Sequence, residues 1–151
     1  MEKKSDGGST GQALQNAEPR SEKFKMPGSG NIEGLQKYRK KKKIVVVDRL
    51  TMGRGSEDLG AMLMKGFIYA VSRMEDLPDA VILYNEGVKL ACLGSDYLQD
   101  LRTMETQGVE IISCCVCLDF FSLKDKLAVG TTANMYEIVE KEMLADLIVR
   151  P

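Results

Sequence analysis

The sequence predicts an open α/β domain, a mainly parallel sheet with helices on both faces, over residues 44–151. Three observations carry that prediction. Short β-branched runs alternate with amphipathic stretches from Ile44 onward. Composition changes sharply just before Ile44, and Gly or Pro marks the joins between runs.

IVVVD (44–48) is a β-branched run ending in Asp, as expected of a strand buried on both faces. The loop RLTMGRGSEDLG follows. Within it, Ser56 ahead of Glu57 and Asp58 marks a helix N-terminus with acids in its first turn. Leu59, Leu63, Phe67 and Val71 recur at period four, with Met62, Ile68 and Ala70 widening the stripe. The pattern predicts a helix to about Met74 with that face inward. DLPD (76–79) breaks it, and AVILYN (80–85) reads as the second buried strand. Ser95 is placed to cap a helix to Gln107 with Leu98, Leu101 and Met104 on one face, and Gly108 ends it. VEIISC (109–114) is the next strand, and Leu118 to Leu123 suits a short helix. Thr131 or Thr132 is expected to cap a helix to about Leu144, before DLIVR (146–150) closes as the last strand. In such sheets ligands collect at the carboxyl ends of the strands, which singles out Gly53–Gly55 and Cys114–Cys117.

The chain has 151 residues and no His or Trp, so no Ser-His-Asp triad, Cys-His dyad or histidine-based zinc site can be built from it alone. Charge is split. Residues 1–43 carry 11 basic and 5 acidic residues, and the remainder carries 10 and 17. Residues 1–43, rich in Gly, Ser and Lys, are expected to form a disordered polar, basic tail. Its cluster, Lys37 and Arg39 to Lys43, reads as a solvated spacer before a phosphate- or headgroup-binding patch. With Tyr38 the only aromatic beside it, nucleic acid is not an expected partner. The longest near-apolar run, Ile111 to Leu118, is far short of the roughly 20 residues of a membrane span. MEKKSDGGST has no signal-peptide core. A soluble, cytoplasmic protein with reduced thiols is expected, with no membrane partner.

Gly53-Arg54-Gly55 follows a strand and opens a helix, where free N–H groups favour an anion. A dinucleotide fingerprint would need glycine where Asp58 stands, and the Gly-Lys-Ser/Thr ending of a P-loop is missing. A tight strand-to-helix turn is the competing reading.

The cysteines, at 92, 114, 115 and 117, carry more. Cys114 and Cys117 form a CxxC pair where a strand gives way to a helix, and helix N–H groups there favour thiolate. Asp119 opposes this, unless Lys124 or Lys126 folds back to offset it. A lone CxxC without His argues against a metal site. Plain burial suits Cys92, while Cys114 and Cys117 stand between burial and a reactive thiol that carries or exchanges a chalcogen atom.

VVVDRLTMGRGSEDLGAMLMKGFIYAVS, LPDAVILYNEGVKLACLGS, GVEIISCCVCLDFFSLKDKLAVG and TTANMYEIVEKEMLADLIVRP together resemble the DsrE-like sulfurtransferase family. Within it they are nearest the C-terminal domain of the YedF group, sulfurtransferase-like proteins of selenium metabolism. The resemblance implies a DsrE-like three-layer fold and frequent homo-oligomers. It also implies an active cysteine after a central strand that holds a persulfide or selenylsulfide. Cys114 matches that position, and Cys117 belongs to the YedF-like CxxC. Cys115 stands where a small residue is expected. Asn134, opening NMYEIVE, joins Gly53, Arg54 and Gly55 as a candidate substrate- or anion-binding position. The reading implied is a cysteine-based sulfur or selenium carrier or transferase with donor and acceptor proteins as partners and no cofactor. The alternative is a non-catalytic oligomeric scaffold of the same fold. Phe120-Phe121, directly after the cysteines, predicts one ring in the core and its neighbour at a subunit contact.

Overall fold

The computed structural model describes residues 40–151, so the expected disordered tail lies outside the described residues apart from its last four. Those four lead directly into the sheet. The first strand, β1, spans Lys43–Val47. The Lys43 N–H donates to Asp79 Oδ2 at 2.8 Å, its ammonium pairs with Asp76, and Lys40 pairs with Asp79 at 3.5 Å. The acidic DLPD turn thus seats the end of the basic cluster.

After β1 come α1 (Glu57–Ser72), β2 (Ala80–Leu83), a 3-10 helix (Asn85–Ala91), α2 (Leu98–Thr106) and β3 (Glu110–Cys114). They are followed by α3 (Cys115–Phe120), β4 (Thr131–Ala133), α4 (Met135–Met143) and β5 (Leu147–Val149). The five strands form one all-parallel sheet in the order β4-β3-β2-β1-β5. Alternate residues of the β-branched strands serve opposite faces. Val45, Val47, Val81, Leu83 and Ile111 pack beneath α1 and α2, through Met64, Ile68, Leu101 and Met104. Ile44, Val46, Ala80, Ile82, Ile112 and Cys114 face α4 through Ile138. These are the three layers expected, and the strands at 44–48, 80–85, 109–114 and 146–150 fall where the sequence places them.

The helices need correction in detail. The α1 stripe is rotated: Gly60, Met64, Ile68 and Val71 are buried, whereas Leu59, Met62 and Leu63 remain 55%, 72% and 47% exposed. The cause is the loop after β1, which folds back over the first turn of α1. Met52 N–H donates to the Gly60 carbonyl, and a β-carbon at Gly60 would stand 2.8 Å from Thr51 Cβ. The small residue must face inward there, and the leucines turn out. Ser56 does cap α1, accepting from Leu59 N–H. Ser95 instead closes a turn by accepting from Tyr97 N–H, and α2 starts only at Leu98. The short helix begins at Cys115 rather than Leu118, with Cys114 as its N-cap. Thr131 and Thr132 pair with β3 as strand β4, and Asn134 caps α4 in their place. The 3-10 helix has no apolar period and was not foreseen. Among the described residues, no helix is long and apolar enough to cross a membrane.

Candidate active site at the strand ends

The register sets the carboxyl ends of the central strands side by side. Val47 pairs with Leu83 and Leu83 with Ser113, while Cys114 pairs with Ala133. Tyr84 and Cys114 are therefore next along, on the face of Ile82 and Ile112. A cleft of about 350 Å³ opens beside them, lined by Tyr84, Asn85, Val116, Cys117, Phe120, Phe121 and Met135.

Cys114 and Cys117 are together, but at different depths. Cys114 is 0% exposed in the α4-side core, and Cys117, one helical turn later, is half-buried and lines the cleft. The strand-end cysteine is the inaccessible one. Cys117 Sγ accepts the Asn85 N–H at 3.1 Å, and Asn85 itself holds φ +47°, a left-handed conformation that asparagine tolerates. All four cysteines are free; Cys115 is half-buried, and buried Cys92 donates its thiol to the Val88 carbonyl at 3.2 Å.

The sequence suggests that helix N–H groups depress a thiol here. At Cys117 burial wins and pushes the thiol up; the Asn85 N–H works against it, and the neighbouring Cys114 and Cys115 add to the rise. A six-residue helix has little field to offer. Lys124 does fold back onto Asp119, pairing with it at 3.0 Å. The other expected compensator, Lys126, acts on Cys92 instead.

Gly53 (φ +77°) and Gly55 (φ +137°) turn the loop after β1, with Arg54 exposed between them. None of the three lines the cleft. The Asn134 side chain accepts the Glu137 N–H at 3.0 Å and Glu137 returns a bond to Asn134 N–H, a capping box that orients α4 so that Met135 reaches the cleft. Among the described residues, no three Cys, Asp or Glu side chains are grouped to hold a metal ion. Phe121 packs on the core with Lys89 4.5 Å from its ring centroid, while Phe120 stands edge-on to it and 81% exposed. Tyr84, Asn85 and Met135 were not singled out by sequence reasoning as site residues. The one signal for the first two is that they fall within LPDAVILYNEGVKLACLGS, one of the segments that carry the resemblance.

No family model matches the chain, and no curated protein matches it. Solved structures do. The YchN protein of E. coli superposes with a TM-score of 0.56 at 21% identity, over 73% of this chain and 99% of that one. MTH1491 of Methanobacterium thermoautotrophicum, described as a protein of unknown function, gives 0.55 at 19%, over 74% and 100%. The likeness establishes the fold, DsrE-like and three-layered.

Proposed function

We propose that this chain is a cysteine-based carrier of sulfur or selenium of the DsrE/YedF type, with Cys117 as the loading thiol and Cys114 as its buried partner. The observation that supports it most is a CxxC pair at the carboxyl edge of a parallel sheet, with one thiol open to an apolar cleft and the other sealed beneath it. In the loading step, Cys117 thiolate attacks the outer sulfur of a donor persulfide. The Cys117 S–S bond forms, the donor S–S bond breaks, and the donor leaves as thiolate. An acceptor thiolate removes the sulfur by the reverse attack. Alternatively, Cys114 thiolate attacks Cys117 Sγ, expels hydrosulfide or hydroselenide and leaves a disulfide, which a cellular dithiol reduces. A thiol held protonated at rest is slow towards solvent oxidants, and the apolar walls exclude water from the adduct. A reducing, cytoplasmic setting fits four free thiols. The cleft, not Gly53–Gly55 or Asn134, is the binding region in this reading; Asn134 acts only by capping α4, which carries Met135 to the cleft.

The decisive experiment incubates the protein with a cysteine desulfurase and cysteine and measures intact mass. One added sulfur, removed by reductant, is expected on the wild type and absent from the Cys114→Ser, Cys117→Ser double variant. Neither an adduct nor a Cys114–Cys117 disulfide on the wild type, or an undiminished adduct on the double variant, would leave the scaffold reading in its place.

A homo-oligomer belongs to the same proposal. The exposed Phe120 sits at the mouth of the cleft, where a second copy would cover both ring and adduct. Phe120→Asp should lower the molar mass by light scattering and leave the fold intact, whereas Phe121→Asp, at a half-buried site packed on the core, should lower Tm. A wild-type monomer at tens of micromolar ends the idea.

A further inference from the structure

We infer that β5, an edge strand of the sheet, pairs antiparallel with β5 of a second copy of this chain, centred on Ile148. The inference goes beyond the carrier reading and does not rest on it. The surface is also distinct from the Phe120 contact, because β2 and β1 separate β5 from β3 and the cysteines.

The two edges of the sheet differ. One is β4, with Thr131, Thr132 and Ala133; the other is β5, with Leu147, Ile148 and Val149. An apolar edge is a template for pairing with another chain, whereas a polar edge is blunted. In the β1–β5 ladder Leu147 pairs with Lys43, and its N–H donates to the Lys42 carbonyl. Successive residues of a strand turn their backbone groups to opposite sides, so the N–H and C=O of Ile148 point away from β1. An antiparallel pair needs such a residue at its centre. The two copies of Ile148 then exchange N–H···O bonds across a two-fold axis.

The flanking residues favour a second copy over a foreign strand. Centring on Ile148 sets Leu147 opposite the partner's Val149 and Asp146 opposite the partner's Arg150, each pair occurring twice. DLIVR (146–150) therefore meets itself acid to base at both ends, with apolar residues between. Both charges are already positioned on the face of Ile148. Asp146 accepts the Lys42 N–H at 2.7 Å, and Arg150 donates to Glu142 at 2.8 Å and to the Tyr84 hydroxyl oxygen.

On the other face, Leu147 and Val149 line an apolar groove of about 230 Å³ with Val45, Phe67 and Met74. Helix α1 turns one flank to α2, where Ser72 donates to Asp100, and holds the other over this groove. Leu59, Leu63 and Phe67 run along that second flank towards Met74. They are most of the row that the sequence reads as a core face, and Leu59, Leu63, Met74 and Leu147 are each about half exposed. Pairing joins the two grooves over the paired strands. A stable interface takes roughly 800 Å² from each partner. A strand pair this short falls below that, and the α1 row adds apolar area to it.

The test uses the full chain carrying Phe120→Asp, so that the contact proposed at the cleft is absent from every sample. Light scattering at tens of micromolar should give about twice the 16.7 kDa of one chain. Leu147→Lys with Val149→Lys sets like charges opposite each other in a self-paired dimer, and so does Leu147→Glu with Val149→Glu. Each should raise the dissociation constant by about a hundredfold or more and leave a monomer. Both sites are exposed, and circular dichroism checks that each chain is folded. An equimolar mixture of the two should recover the dimer, and native mass spectrometry should find one chain of each kind in it. Should a double substitution unfold the chain, Leu147→Lys is mixed with Val149→Glu instead, and the heterodimer should exceed its random share. A monomeric Phe120→Asp parent, charged chains that stay dimeric, or monomers that do not recombine overturn the inference. The last of these would assign the edge to a strand of another protein. None of them bears on sulfur loading, which the desulfurase experiment reads separately.

Discussion

Gly87→Ala should destabilise the domain by about 3 kcal/mol or more, lowering Tm by roughly 10–15 °C, although it adds a single methyl group. A β-carbon at Gly87 would stand 2.1 Å from the Val47 carbonyl oxygen and 2.8 Å from its carbon. Both are backbone atoms at the end of β1, so no side-chain rotation relieves the contact. That carbonyl also accepts the Tyr84 N–H at 3.2 Å, at the point where β2 passes into the 3-10 helix. Pushing the 3-10 helix away would loosen this bond and carry Asn85 N–H away from Cys117. Stability and site geometry should therefore fail together. Thermal unfolding followed by circular dichroism checks the first, and Cys117 alkylation below the transition checks the second. Gly66→Ala is the control: a β-carbon there meets nothing within 4 Å on the exposed side of α1. It should add about 0.5–1 kcal/mol through helix propensity and a less flexible unfolded chain. A Gly87→Ala protein as stable as the wild type would mean that the 3-10 helix does not pack on β1 as described.

Much of this fold is legible in the sequence because a parallel strand buried on both faces must be apolar at nearly every position. IVVV, AVIL and EIISC therefore announce themselves. Other features depend on neighbours distant in the chain. The face of α1 is decided by Thr51 and Met52 closing on Gly60, which overrides a better-looking row of leucines. Strand β4 is three residues long, and Thr131-Thr132 reads equally well as a helix cap until β3 pairs with it. For the site, local spacing brings Cys114 and Cys117 together and suggests that Phe120 and Phe121 diverge. Depth is another matter. Nothing in CCVC says that the first thiol is sealed by Ile138 and Ala133 while the last opens to solvent. Burial then decides the sign of the Cys117 shift against the helix-end expectation. The Tyr84–Arg150 contact spans 66 residues and has no motif at all.

The difference in depth between the two thiols yields an expected order of chemistry. Cys117→Ser should cut sulfur loading from a desulfurase by roughly a hundredfold or more, since no other thiol lines the cleft. Cys114→Ala should load as well as the wild type and hold its adduct longer. It removes the one thiol placed to attack Cys117 Sγ from below, whereas the adduct first formed on the wild type should decay on longer incubation, releasing hydrosulfide and leaving a Cys114–Cys117 disulfide. Mass spectrometry after loading separates the two products by the retained sulfur in one and the loss of two hydrogens in the other. Loading that survives Cys117→Ser but vanishes with Cys114→Ala would reverse the assignment and require the cleft to open down to the strand end. The pH dependence has a definite sign as well. Because burial raises the Cys117 thiol above its ordinary value, the thiolate is scarce at neutral pH. Loading of the Cys114→Ala protein should then climb about tenfold per pH unit from neutrality until the thiol titrates. A rate already flat at pH 7 would show a thiolate formed at rest, and with it a cleft more polar than Val116, Phe120 and Phe121 make it.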